Sequence, residues 1–212
     1  MMPLFSRVFS TVTAALLLTL VSLKPISADV VIPNSIKAFH QGDSLTGNGA
    51  ALQVINGSGM SKPDPNDPST WTVNSTAWAD DWQGFSTPSG NNTTWTVLDL
   101  GSPTPNLDQI YLWNVQENNA RDRGTNRFNI FHATSPTVTP PATSGTVTSY
   151  NFVSGGWSKI NGTFSLAQGT GNGDSGQSFD VSAASGARYI GLQLVSNHGG
   201  VRVGFGEIAF TT

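Results

Sequence analysis

The segment "WNVQENNARDRGTNRFNIF", residues 113 to 131, gathers Glu117, Arg121, Asp122, Arg123 and Arg127 into a chain in which only 11% of residues are charged. Carboxylate, amide and guanidinium groups set close together are directional donors and acceptors, the kind that read hydroxyl-rich ligands. Asn114, Glu117, Asn118 and Arg123 are therefore candidate ligand contacts, whereas Arg121 and Asp122 read as residues that solvate a surface connection. The outer parts of the segment have strand character, and "QENNARDRGTN" reads as the loop between them. An indole that covers the apolar face of a sugar ring would complement such polar groups. Trp82, in "ADDWQGF", is the candidate for that role. Trp71 and Trp157 also border glycine- or asparagine-rich loops, while Trp78, Trp95 and Trp113 read as core.

A second polar loop, "SNHGG" at 196 to 200, carries Asn197 and His198, which both donate and accept hydrogen bonds. The same residues also suit a turn with positive φ, which Asn and Gly tolerate.

Catalytic patterns are missing. His40, His132 and His198 lie far apart, there is no cysteine, and neither H-E-x-x-H nor G-x-S-x-G occurs. Asp80 and Asp81 are adjacent, so in extended chain they point to opposite faces, unlike two carboxylates facing each other across a scissile bond. The glycine-rich "GTGNGDSG", residues 169 to 176, is a single copy and reads as a hairpin tip. These residues nominate a binding protein and not an enzyme.

The elements that position them follow from composition. Residues 1 to 28 read as a cleaved export signal, with Arg7 before the apolar "VTAALLLTLVSL" and "ISA" ending at Ala28. The apolar run is shorter than a membrane span needs, which leaves 29 to 212 as one secreted domain, or a periplasmic one in a Gram-negative source. A net charge of −3 and a pI near 5.4 argue against nucleic acid and anionic lipid as partners. An exported chain without cysteine relies on core packing, or on a bound metal.

Gly, Ser, Thr and Asn dominate, and no helical apolar period is present after the signal, so the chain reads as all-β. Strands are expected at "IKAFH", "WTVLDLG", "DQIYLWNV", "NRFNIFHA", "VTSYNFV", "TFSLAQG", "QSFDVS", "RYIGLQLV" and "VRVGFGEIAF". That many strands with Gly- and Pro-rich connections fit a sandwich or jelly roll. Two connections are longer than hairpins need. Residues 56 to 94 carry three tryptophans, and 134 to 146, "TSPTVTPPATSGT", reads as an extended surface loop.

Taken together, "ALQVINGSGM", "STAW", "WTVLDLG", "YLWNVQENNARDRGTNRFNIF", "ARYIGLQLVSNHGG" and "VGFGEIAF" resemble the coagulation factor 5/8 type C, or discoidin-like, domain of the galactose-binding-like superfamily. The resemblance spans about Val31 to Phe210. It implies an antiparallel β-sandwich jelly roll whose loops at one end bind a glycan or polysaccharide, with an extracellular protein or a lipid as the partner in other members. It also implies a structural calcium ion held by Asn56, Thr76 and Glu207, the positions matching the family's Asp-Gly, Thr-x-Trp and last-strand Glu. The chain departs from that pattern twice. Asn56 replaces an aspartate, and the connection from Asn56 to Thr76 is longer than usual, which brings Asp64 and Asp67 into range as alternative oxygen donors.

Overall fold

The computed structural model describes residues 28–39, 49–84, 94–141 and 150–212. The expected export signal lies outside them except for Ala28, and so does His40. The described residues form β1 (Val30–Val31), β2 (Ser35–Phe39), β3 (Met60–Ser61), β4 (Thr72–Val73), β5 (Trp82–Gly84), β6 (Trp95–Asp99) and β7 (Gln109–Trp113). They continue with β8 (Thr125–Ala133), β9 (Ser158–Lys159), β10 (Phe164–Ser165), β11 (Gln177–Asp180), β12 (Tyr189–Asn197), β13 (Val203–Phe205) and β14 (Glu207–Thr211). Short 3-10 turns are the only helical elements among them, and no helix there is long and apolar enough to cross a membrane.

All strand pairs are antiparallel. One sheet has the order β1-β14-β7-β11; the other runs β10-β8-β12-β6-β2, with β9 also on β8. Their facing sides make the main core. Ile110, Leu112, Ile208 and Phe210 come from the first sheet, and Leu98, Phe128, Ile130, Ile190, Leu192 and Leu194 from the second. Because side chains alternate along a strand, the neighbours of these residues point outward. The chain is thus the all-β antiparallel sandwich that its strand pattern predicts.

Part of each outward face is buried too. Trp95, Val97, Phe131 and Ala133 of the larger sheet pack under Tyr150, Phe152 and Trp157. Phe152 stacks on Phe131 at 4.6 Å and sits over Gly191, where a Cβ would come within 2.2 Å of its ring. Trp113 and Ala209 of the smaller sheet lie under Trp71 and Val73. The long connections therefore cover both sheets, which is why β6 and β14 are buried at every position.

Two expectations are corrected. The described part of "VTSYNFV" is not a strand but leads into a 3-10 turn, Val153–Gly155, because its aromatics serve as the outer cover. "VRVGFGEIAF" divides at Gly206, so that β13 pairs with β5 while β14 joins the smaller sheet.

The β5–β13 ribbon carries residues into the loop end and depends on Gly204. A Cβ there would lie 1.8 Å from the Trp82 carbonyl oxygen, and Gly204 also bridges to Gly124. Gly204→Ala is expected to destabilise the fold by about 2 kcal/mol, lowering Tm by roughly 4–8 °C. Thermal unfolding checks this, and an unchanged Tm would show that the two backbones do not meet.

Candidate functional site

At the end of β7 the chain enters the charged loop, which is fixed by buried polar groups. The Asn114 amide donates to the carbonyls of Thr125 and Ala167, each at 2.7 Å, and its oxygen accepts from Val115 N–H at 3.0 Å. With only 3% of its surface exposed, Asn114 is a strut between loops and not the ligand contact expected for it. Asp81, 2% exposed, accepts the Gln116 and Glu117 amides at 2.9 and 2.8 Å through Oδ2. Gln116 then donates to Asp174 and accepts from the Gly171 amide, tying the glycine-rich tip to the same loop.

Glu117 and Arg123 do come together, around a residue that the sequence did not single out. Glu117 Oε2 accepts from Gln83 Nε2 at 2.7 Å and from Arg123 Nη1 at 3.2 Å, and Nη1 also donates to Gln83 Oε1 at 3.1 Å. Gln83 is fully buried, whereas Arg123 and Glu117 keep 30% and 22% of their side chains exposed. Asn118 is exposed, accepts from Arg121 Nη2 at 3.1 Å, and donates its backbone N–H to Thr76. The segment around Thr76 is thereby tied to the charged loop.

The aromatics trade roles. Trp82 is fully buried in the main core, because β5 pairs with β13 and turns its indole inward beside Phe205; it cannot be the stacking platform. Trp71 and Trp157 are buried as well. Trp78, expected in the core, is instead 37% exposed, packed against Gly49 and flanked by the Asn118–Thr76 contact. Among the described residues it is the exposed aromatic.

Asn197 shapes its own turn. Its amide donates to the carbonyls of Gly200 and Arg202 at 2.6 Å each, and its oxygen accepts from Gly199 N–H, so its polar atoms are committed within the loop. His198 pairs through Nε2 with the Leu166 carbonyl at 3.0 Å. Since a carbonyl only accepts, Nε2 carries the proton. The His198 and Gly200 amides both donate to the Asp122 carbonyl, fastening this loop to the 3-10 turn Arg121–Arg123.

The residues implied for calcium are arranged for something else. Asn56 is exposed, its amide donating to Gln53 and its oxygen accepting from Ser58 N–H. The Thr76 carbonyl accepts from Asn118 N–H. Glu207 is fully buried; Oε2 accepts from Gly57 N–H at 2.9 Å, and Oε1 faces the Lys62 ammonium at 3.9 Å. Asp80 accepts the hydroxyls of Ser58 and Ser75. Calcium takes six to eight oxygens and is repelled by an ammonium at its carboxylate, so Asn56, Thr76 and Glu207 as placed do not fit the ion. No group of three or more His, Cys, Asp or Glu able to hold a metal occurs among the described residues.

Burial drives the Asp81 carboxyl up to about 7 against the pull of its two amide hydrogen bonds, and drives Glu207 up to about 8 against Lys62 and the Gly57 amide. Carboxyls with raised folded-state values keep protons that the unfolded chain releases near pH 4, so their contribution to stability is lost as pH rises through the folded values. Tm should fall between about pH 5 and 8, opposed below about 6.5 by half-buried His132, whose value burial lowers. Asp81→Asn should flatten the fall in a pH series of melting curves, and an equal slope in both proteins would contradict this.

No protein-family model matches the chain, and no curated protein matches it. Among solved structures the fold is similar to a Streptococcus pneumoniae fucose binding module, at 14% identity over 85% of this chain and 93% of that one, with a TM-score of 0.48. It is also similar to the family 32 carbohydrate-binding module of Streptococcus pneumoniae EndoD, at 12% identity over 86% and 98%, with a TM-score of 0.47. A third is the F5/8 type C domain of a Bacteroides fragilis protein, at 12% identity over 68% and 93%, with a TM-score of 0.43. At these identities each is a likeness of fold.

Proposed function

We propose that the protein is a secreted, non-catalytic carbohydrate-binding module whose loop end stacks a sugar ring on Trp78 and reads its hydroxyls with Arg123, Glu117, Asn118 and Arg121. The observation that carries this reading is the 37% exposed indole of Trp78 on a segment tied directly to the charged loop. An indole held partly in water retains apolar surface for a sugar face, and the adjacent amide and guanidinium groups supply direction. Both side-chain bonds that Arg123 makes to described residues use Nη1, and its side chain is 30% exposed. Such a site suits weak single contacts made useful by multivalency.

The carboxylates support binding over catalysis. Glu117 is paired with Arg123 and Gln83, and Asp81 is buried on two backbone amides, so neither is poised as an acid or base facing substrate. One observation favours a protein or lipid partner instead: Val201, beside the loop of Asn197 and His198, is 68% exposed. A lone exposed aliphatic is ordinary on a protein surface, so it weighs less than Trp78.

A glycan array probed with the purified protein tests the proposal. A coherent set of bound sugars is expected, with Trp78→Ala weakening affinity about tenfold at little change in Tm, and Arg123→Ala abolishing binding while lowering Tm by about 4 °C, because buried Gln83 loses its donor. Binding to no glycan by a folded sample would sink the reading and leave the protein partner. Unchanged binding by Trp78→Ala would move the platform elsewhere.

A further inference from the structure

We infer that the Lys62 ammonium is a built-in cation that takes the place of a divalent metal beside Glu207, so that this face of the sandwich closes without calcium. The inference does not depend on the ligand bound at the loop end.

The geometry begins with a small hairpin on the long connection. β3 and β4 pair with Met60 opposite Val73 and Ser61 opposite Thr72. Continuing that register by one step sets Lys62 across from Trp71. The Lys62 Nζ lies 4.0 Å from the centroid of the Trp71 ring, a cation–π contact. Trp71 is fixed in turn, stacked on Trp113 at 5.8 Å and donating its indole N–H to the Asp64 carbonyl at 2.7 Å. The ammonium is thus held over one aromatic face and delivered to Glu207 Oε1 at 3.9 Å.

Once ionised, Glu207 needs a cation there. Its side chain is fully buried, it sits opposite Trp113 in the β14–β7 register, and its Oε1 has no hydrogen-bond partner among the described residues. A buried carboxylate without compensating charge is costly, and Lys62 is the positive group beside it. Gly57 completes the arrangement. Its amide donates to Oε2, and its φ of 76° leaves a bare Cα against Lys62, where a Cβ would stand 2.6 Å from Nζ.

The two sequence departures then have one explanation. The lengthened connection brings in Lys62 and Trp71, and Asn56 in place of an aspartate removes one negative charge where a monovalent ammonium replaces a divalent ion. Asn56 is free to shape a turn, as its bonds to Gln53 and Ser58 show.

Melting of the purified protein in millimolar calcium and in excess chelator, alongside Lys62→Met and Lys62→Arg, tests the inference. At about pH 9, above the value of about 8 to which burial raises the Glu207 carboxyl, the carboxylate is ionised. The wild-type Tm is expected to be the same in both buffers, and calorimetric titration with calcium should show no binding. Lys62→Met is expected to lower Tm by about 10 °C, because it leaves the buried, ionised Glu207 without its cation, and Lys62→Arg to retain most of it. A chelator-induced fall of the wild-type Tm would overturn the inference, by showing an ion bound despite Lys62. Equal melting of Lys62→Met and wild type would also overturn it. Should Lys62→Met fail to fold, the wild-type response to chelator and the Lys62→Arg melt decide the matter.

Discussion

Two sheets whose central strands are buried on both faces impose the constraint that organises this molecule. A sandwich that alternates apolar and polar residues covers only its inner faces and leaves the outer ones to water. Here Trp95, Val97, Phe131, Trp113 and Ala209 point outward and are apolar, so each sheet needs a second cover. A chain without cysteine supplies these covers as packed connections. Tyr150, Phe152 and Trp157 lie over one sheet, and Trp71 with Val73 over the other. The covers are pinned by polar contacts as well as by packing. The Trp157 indole donates to the Tyr150 hydroxyl at 2.7 Å, which donates to the Val138 carbonyl at 2.6 Å.

The loop end is stiffened by a different device. Buried and half-buried carboxylates and amides there collect backbone N–H and C=O groups that no sheet satisfies, as the accounting for buried backbone demands. Asp81 holds the Gln116 and Glu117 amides, Asp174 holds those of Thr170 and Gly176, and Asn114 ties three strands of loop together. This matters for function because ordering a loop on binding costs affinity. On the proposed function, Trp78 as a platform and Arg123 as a reader of hydroxyls gain from being positioned in advance. Charge concentrates in residues 117 to 123 in part because that framework needs carboxylate and guanidinium partners, and, on the proposed function, in part for recognition.

How far the sequence speaks depends on the range of the interaction. Strands were legible because β-branched and aromatic residues recur between turn signals, a local property. That Glu117 and Arg123 share one charged loop was legible; that they pair with each other was not. The identity of the exposed tryptophan was not. Trp78 and Trp82 stand four residues apart in similar polar surroundings, and only the pairing of β5 with the distant β13 turns Trp82 inward. Gln83 escaped notice for the same reason, since its partners come from another loop. Asn114 and Asn197 misled because an asparagine that braces a turn and one that meets a ligand look alike until burial and bonding are known. "VTSYNFV" misled because aromatics that cap a sheet have the composition of a strand within it.

Glu207 joins these themes. Alternation with Ile208 and Phe210, which enter the core, places it on the outer face, where a carboxylate would ordinarily meet solvent or a metal. Covering that face with the β3–β4 hairpin removes the solvent, so the same packing that buries Trp113 leaves the ionised form of Glu207 dependent on a positive charge. A metal would supply it only in proportion to the free ion concentration, because ligand-linked stability varies with occupancy. A lysine on the covering hairpin is present whenever the cover is in place. Its charge and the aromatic packing are then parts of one cooperative unit, and the stability of this face follows from folding alone, whatever ions the surroundings hold.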